Sequence, residues 1–158
     1  MTIIAIDPGA KGGLACRRLG TTTAYALPET DGDRLELLRE LKASADVEGE
    51  AVVVVLEKVS GFVGKRQPGS AMFNFGSGYG FLIGAVMALQ IRLVLVTPQL
   101  WQKFFQLGKG SDCASQSVWK NKLKAEAQRR HPTLKVTHAT ADALLICDWA
   151  AAQPDHLK

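Results

Sequence analysis

The feature that most constrains this chain is its first fifteen residues. Thr2-Ile3-Ile4-Ala5-Ile6 is an apolar run rich in β-branched residues that ends in Asp7 and passes through Pro8-Gly9 and Gly12-Gly13 into Leu14-Ala15. Such a run packs well on a pleated surface, and Pro-Gly and Gly-Gly make turns, so the stretch reads as a buried strand, a turn and a second strand. One acid therefore stands where a buried strand ends, facing the crevice outside the sheet in which open α/β folds place their chemistry. The bland alternative is that Asp7 only opens the turn through hydrogen bonds to its own backbone.

Runs 13–19 and 21–27, separated by Gly20, continue as an antiparallel hairpin. Residues 28–33 are polar and turn-like, and 34–45, with leucines at 35, 38 and 41 between charges, read as an amphipathic helix over one face of the sheet. Residues 51–56 are an unbroken Ala-Val-Val-Val-Val-Leu run, suited to a central strand buried on both sides, and they lead into Glu57. A loop rich in Gly, Lys, Arg, Gln and Pro over 60–70 precedes a long apolar helix, 71–90. Gly76, Gly80 and Gly84 share one face of that helix, where another helix or a second subunit can approach closely. There follow a strand 91–96, a helix opened by Thr97-Pro98 that reaches about Leu107, and a flexible basic loop over 108–115. A basic helix 117–130 and a last helix 141–152, begun by Thr140, complete the chain. This order is α/β, with a central five-stranded mixed sheet flanked by helices, and 158 residues make one domain, 1–158.

Composition narrows the partners. A net charge of +4 and a pI near 9.1 suit a polyanionic partner. Cys16, Cys113 and Cys147 lack the short spacings of a zinc site and read as reduced thiols of an intracellular protein. No basic segment precedes an apolar one at the N-terminus, and the apolar stretch 81–96 is too short to span a bilayer and is broken by Gln90 and Arg92. A soluble, cytoplasmic protein with no membrane partner is expected.

Asp7 and Glu57 end two apolar strands that should lie side by side, and a third acid, Asp142, sits in the apolar helix near the C-terminus. Three carboxylates gathered in one cleft would repel and raise one another's pKa values, so the arrangement makes sense with a divalent cation, magnesium or manganese. His138, four residues before Asp142, shares its helix face if the helix starts early enough, and can bind a metal or orient an attacking water. Against these stand ordinary roles: Glu57 pairing with Lys58 or an arginine, Asp142 capping its helix, and His138 as an exposed turn residue. Asp148 lies six residues beyond Asp142, on another face, and reads as solvated surface.

Several stretches together carry a resemblance: Ile4-Ala5-Ile6-Asp7-Pro8-Gly9 with Gly12-Gly13-Leu14-Ala15, Val55-Leu56-Glu57-Lys58-Val59, Ser70-Ala71-Met72-Phe73-Asn74-Phe75-Gly76-Ser77-Gly78-Tyr79-Gly80, Val96-Thr97-Pro98 with Trp101 and Lys103, and His138-Ala139-Thr140-Ala141-Asp142-Ala143-Leu144-Leu145. In order and spacing the chain resembles the RuvC-type Holliday junction resolvases of bacteriophages and plant plastids. The resemblance implies a ribonuclease H-like fold, a homodimer pairing through helix 71–90, and magnesium- or manganese-dependent nicking of four-way DNA junctions at symmetric positions. It implies that Asp7, Glu57 and Asp142 are metal-binding acids and that His138 stands where phage and plastid members have a histidine. Bacterial members have a fourth carboxylate three residues before the last acid, where this chain has Ala139. Lys103 and Lys120 match positions where members have basic residues near the DNA backbone.

Lysines on two helices flanking the cleft, Lys122 among them, can neutralise phosphates and make binding salt-dependent. Lys65 and Arg66 in the loop after Glu57 are placed to approach a junction's centre, and Phe62 beside them either stacks on an unpaired base or tucks against its own protein. Two other functions compete with the resolvase: a junction-binding architectural protein without catalysis, and a ribonuclease H-like hydrolase acting on flaps or RNA–DNA hybrids. An actin-like or sugar-kinase phosphate loop would need a duplicated domain, for which the chain is too short.

Overall fold

The computed structural model describes residues 1–59 and 69–157. Strands β1 (Thr2–Asp7), β2 (Gly13–Arg18), β3 (Thr21–Ala26), β4 (Val52–Glu57) and β5 (Arg92–Val96) form one sheet in the order β3-β2-β1-β4-β5. The hairpin strands pair antiparallel, whereas β1 with β4 and β4 with β5 pair parallel, which gives the expected mixed sheet. The helices are α1 (Asp31–Val47), α2 (Gly69–Ala88), α3 (Pro98–Phe104), α4 (Gln116–Arg130) and α5 (His138–Ala152).

Side chains alternate across a strand, so each buried strand feeds two cores. Ile3, Ala5, Val53 and Val55 pack with Trp101, Leu123 and the apolar residues of α5 on one face. Ile4, Ile6, Val54 and Leu56 pack with Leu38, Leu82 and Val86 of α1 and α2 on the other. The unbroken apolar runs of β1 and β4 are thus what a sheet covered on both faces requires.

Three boundaries differ from the sequence expectation by about three residues, and local capping explains two of them. α1 starts at Asp31 because Thr30 caps it, its side chain accepting a hydrogen bond from the Asp33 N–H. α5 starts at His138, ahead of Thr140, because Thr137 and Thr140 form a reciprocal capping box. Asp142 therefore lies inside the helix, one turn on from its start, and does not cap it. α3 ends at Phe104, and Gln106 just beyond it takes a positive φ of 53°. The loop 108–115 carries a short 3-10 turn, Gly110–Asp112.

Asp148 corrects a further expectation. Its carboxylate is only 10% exposed and meets His131 Nε2 at 3.2 Å and the Arg130 guanidinium at 3.8 Å, so it ties α5 to the end of α4. Helix α2, Gly69–Ala88, lies two residues earlier at each end than the expected 71–90. It is, among the described residues, the one helix long and apolar enough to cross a membrane, and little of it is buried within the chain. Among the described residues, a Cβ placed on Gly76, Gly80 or Gly84 would meet nothing within 4 Å, so none of them packs on the glycine face of α2.

Candidate active site

Asp7 and Glu57 come together by register. Ile6 pairs with Leu56 in the parallel β1–β4 ladder, so the next residue on each strand is an acid, at the same end of the sheet. Asp7 follows the parity of Ile3 and Ala5, and Glu57 that of Val53 and Val55, so both carboxylates turn toward the α5 layer. Asp142 reaches the crevice from α5, where it is 4% exposed.

Gly13 sets how closely α5 can come. It is the β2 partner of Asp7, and a Cβ there would lie 2.3 Å from the Ala139 carbonyl oxygen, so only glycine lets the first turn of α5 rest on the strand. The turn between β1 and β2 is equally tight: a Cβ on Gly12 would sit 2.1 Å from the Asp7 carbonyl oxygen. Asp7 makes the turn-opening hydrogen bond weighed from the sequence, its Oδ1 accepting the Gly9 N–H at 2.9 Å, and its carboxylate stands at the strand end beside the crevice.

Asp7 and Glu57 both sense the Asp142 charge. Burial and the nearby Asp142 charge push the Asp7 carboxyl above its usual range, against the Gly9 hydrogen bond and Lys120. Burial, with the Asp7 and Asp142 charges adding to it, pushes Glu57 up to about 7. Lys120, on α4, forms an ion pair with Asp142 Oδ2. Burial lowers the Lys120 pKa, but the three carboxylates outweigh it and leave the ammonium more firmly protonated. The other oxygen of Asp142, Oδ1, is buried without a hydrogen-bond partner among the described residues. Trp101 donates its indole N–H to Glu57 Oε2 at 2.7 Å, in place of the Lys58 or arginine pairing that ordinary surface chemistry would supply.

The remaining predicted residues are spread more widely. His138 is exposed at the first residue of α5, one turn before Asp142 as its face requires. Lys103 is exposed in the last turn of α3. Lys122 is exposed on α4, and its Nζ donates to the Leu107 carbonyl at 2.5 Å, fastening α4 to the segment after α3. Phe62, Lys65 and Arg66 lie outside the described residues. Sequence reasoning left Gly13 and Trp101 without a role in the site. The paired glycines at 12 and 13 signalled the turn, but which helix fills the space beside Gly13 is a long-range fact.

A buried carboxylate oxygen without a donor, beside two further carboxylates held above their usual pKa range, fits a hard divalent cation by the chemistry of the donor set. As the side chains stand, no group of three His, Cys, Asp or Glu residues among the described residues converges on one ion position. Lys120 supplies the positive charge at Asp142.

No family model matches the chain, and no curated protein matches it in sequence. Solved structures do. The chain is similar to the Thermus thermophilus RuvC structure, with a TM-score of 0.57 and 16% identity over 98% of this chain and 96% of that one. It is also similar to T. thermophilus RuvC in complex with Holliday junction substrate, with a TM-score of 0.56 and 14% identity over 98% and 95% of the two chains. Over almost its whole length, then, this chain has the ribonuclease H-like fold of RuvC: a mixed five-stranded sheet flanked by helices.

Proposed function

We propose that the protein is a metal-dependent endodeoxyribonuclease that resolves four-way DNA junctions by paired symmetric nicks. The reading is supported by Asp7 and Glu57 ending β1 and β4 side by side, with the buried Asp142 charge of α5 acting on both, in a RuvC-like sheet. One structure with this fold was solved with a Holliday junction substrate. Asp7, Glu57 and Asp142 would hold magnesium or manganese, with His138 as a further ligand or as the group that orients the attacking water. A cation held there would activate a water and stabilise the leaving oxygen of a phosphodiester. Lys120, beside the acids, balances their charge and stands within the crevice that a phosphate must enter. Lys103 and Lys122, exposed on α3 and α4, and Lys65 and Arg66, in the segment after β4, would offer further positive charge to the DNA backbone.

The active unit in this reading is a homodimer formed through α2. That helix carries no charged residue over Gly69–Ala88, has a glycine face on which no described residue packs, and exposes Phe73 at 74% and Met87 at 66%. An apolar face of this kind marks an interaction surface. A two-fold pair would set one site at each of the two strands to be cut.

A second reading, a junction-binding protein without catalysis, draws on the Lys120–Asp142 pair, which offsets charge in the crevice without any ion. A nicking assay on an immobile four-way junction, a matched linear duplex and an RNA–DNA hybrid, with magnesium, manganese or chelator, separates the readings. Metal-dependent paired cuts in the junction alone support the resolvase. Cutting of the hybrid moves the substrate to RNA, and tight junction binding without cutting supports the architectural protein.

A further inference from the structure

Trp101 is fully buried, yet its one polar atom is directed at the acid cluster. It comes from α3, which Thr97 and Pro98 start immediately after β5, and β5 pairs with β4 up to the match of Val96 with Glu57. The Lys58 N–H then donates to the Val96 carbonyl at 2.7 Å, so the backbones that carry Glu57 and α3 are clamped together one residue beyond the acid.

The indole itself is held by packing. Its ring meets Phe105 edge-on at 6.4 Å between centroids, Phe105 meets Phe104 edge-on at 5.0 Å, and the Arg130 guanidinium covers the Phe105 ring at 4.6 Å. These contacts leave the indole little freedom, so the direction of its N–H is set by the core and not by the crevice.

We propose that Trp101 is the positioning residue of the carboxylate site: its N–H fixes Oε2 of Glu57, so that Oε1 is the oxygen offered to a divalent cation. The inference rests on the reading of Glu57 as a cation ligand. An indole N–H is a donor only, so it can hold a carboxylate oxygen but cannot compete with the acids for a metal. A donor placed behind a ligating carboxylate orients it, and loss of such partners costs metal affinity on the order of 10- to 100-fold.

The test is a titration of the full-length protein with Mn2+, read by the electron paramagnetic resonance of free and bound ion. Trp101→Phe removes the donor and shrinks the ring, while Trp101→3-benzothienylalanine replaces the N–H by sulfur at nearly constant shape. In the second variant we expect unchanged circular dichroism, an unfolding midpoint lowered modestly by the lost hydrogen bond to Glu57, a Mn2+ dissociation constant raised about tenfold or more, and unchanged junction affinity in chelator. Nicking by that variant at low Mn2+ falls and recovers as Mn2+ is raised, which a merely structural defect would not do. Wild-type Mn2+ affinity in the benzothienyl protein overturns the role of Trp101 and leaves the metal site standing. Absence of Mn2+ binding by the wild-type protein overturns the metal site, and the role of Trp101 with it.

Discussion

Replacing Glu57 by Gln in the metal-free protein should stabilise it, and the gain should depend on pH. Burial, together with the Asp7 and Asp142 charges, holds the Glu57 carboxyl at about 7, against a usual value of 4.5. Between those values the folded protein keeps a proton that the unfolded chain has lost. Folded-state proton excess makes stability fall as pH rises, so the contribution is fully present below 4.5 and is lost by about 7. At 1.36 kcal/mol per pKa unit, the ionised carboxylate costs roughly 3 kcal/mol above the window. Gln never ionises and still offers an oxygen to the Trp101 N–H. Urea unfolding of both proteins in chelator from pH 4 to 8 should therefore show equal stability at the acid end and a difference of about 2–3 kcal/mol at pH 8. With a urea slope of about 1–3 kcal/mol/M, that is a midpoint shift on the order of 1–2 M. The raised Asp7 carboxyl adds a slope of the same sign to both proteins and largely cancels in the comparison. A difference that stays flat with pH would refute the reasoning, because it would mean that Glu57 is hydrated and does not sense Asp7. Magnesium at about 100 times its dissociation constant should return roughly 2.7 kcal/mol to the wild-type protein at pH 8 and less to the variant.

Asp7→Asn should abolish junction nicking while leaving junction binding in place, as seen by gel shift in chelator, since it removes a charged oxygen and keeps the shape; loss of folding would show the acid to be structural. Lys120→Ala leaves the Asp142 charge buried without its partner and, discounted for the 40% exposure of Lys120, should cost about 1–2 kcal/mol by urea unfolding in chelator. The same variant should bind any DNA more weakly, with a salt slope lower by about one, and unchanged affinity would remove Lys120 from the DNA interface. Gly13→Val should displace the first turn of α5 and cost several kcal/mol in thermal or urea unfolding, as overpacking against a backbone carbonyl does; a stable variant would show that α5 can shift freely. Gly80→Leu, on the glycine face of α2, should leave monomer stability near wild type but halve the mass seen by analytical ultracentrifugation; an unchanged dimer would move the interface elsewhere.

Much of the fold was legible because it is written in local chemistry. The β-branched runs 2–6 and 51–56 could only be buried strands, Pro8-Gly9 and Gly12-Gly13 could only be turns, and the acids at 7 and 57 therefore stood at strand ends. The start of α5 is hard to place from sequence because a Thr-Thr capping box is a weaker signal than the Ser/Thr and Glu form, and the three-residue difference moves Asp142 from the first turn of the expected helix 141–152 to one turn further in. Asp148 was misread because its partners, His131 and Arg130, belong to another helix and its end, and periodicity within α5 says nothing about them.

By itself the sequence determined which residues are strands, which acids end them, and that a helix bearing a third acid follows. Only the tertiary structure decided how those acids meet. The in-register pairing of Ile6 with Leu56 sets two carboxylates side by side, the missing side chain of Gly13 admits α5, Lys120 arrives from α4 to balance Asp142, and Trp101 arrives from α3 to hold Glu57. The physical reason is range. Strand, turn and cap preferences act over a few residues, whereas desolvation and charge in the crevice come from segments up to a hundred residues or more apart in sequence, which become neighbours only when the two cores close on the sheet.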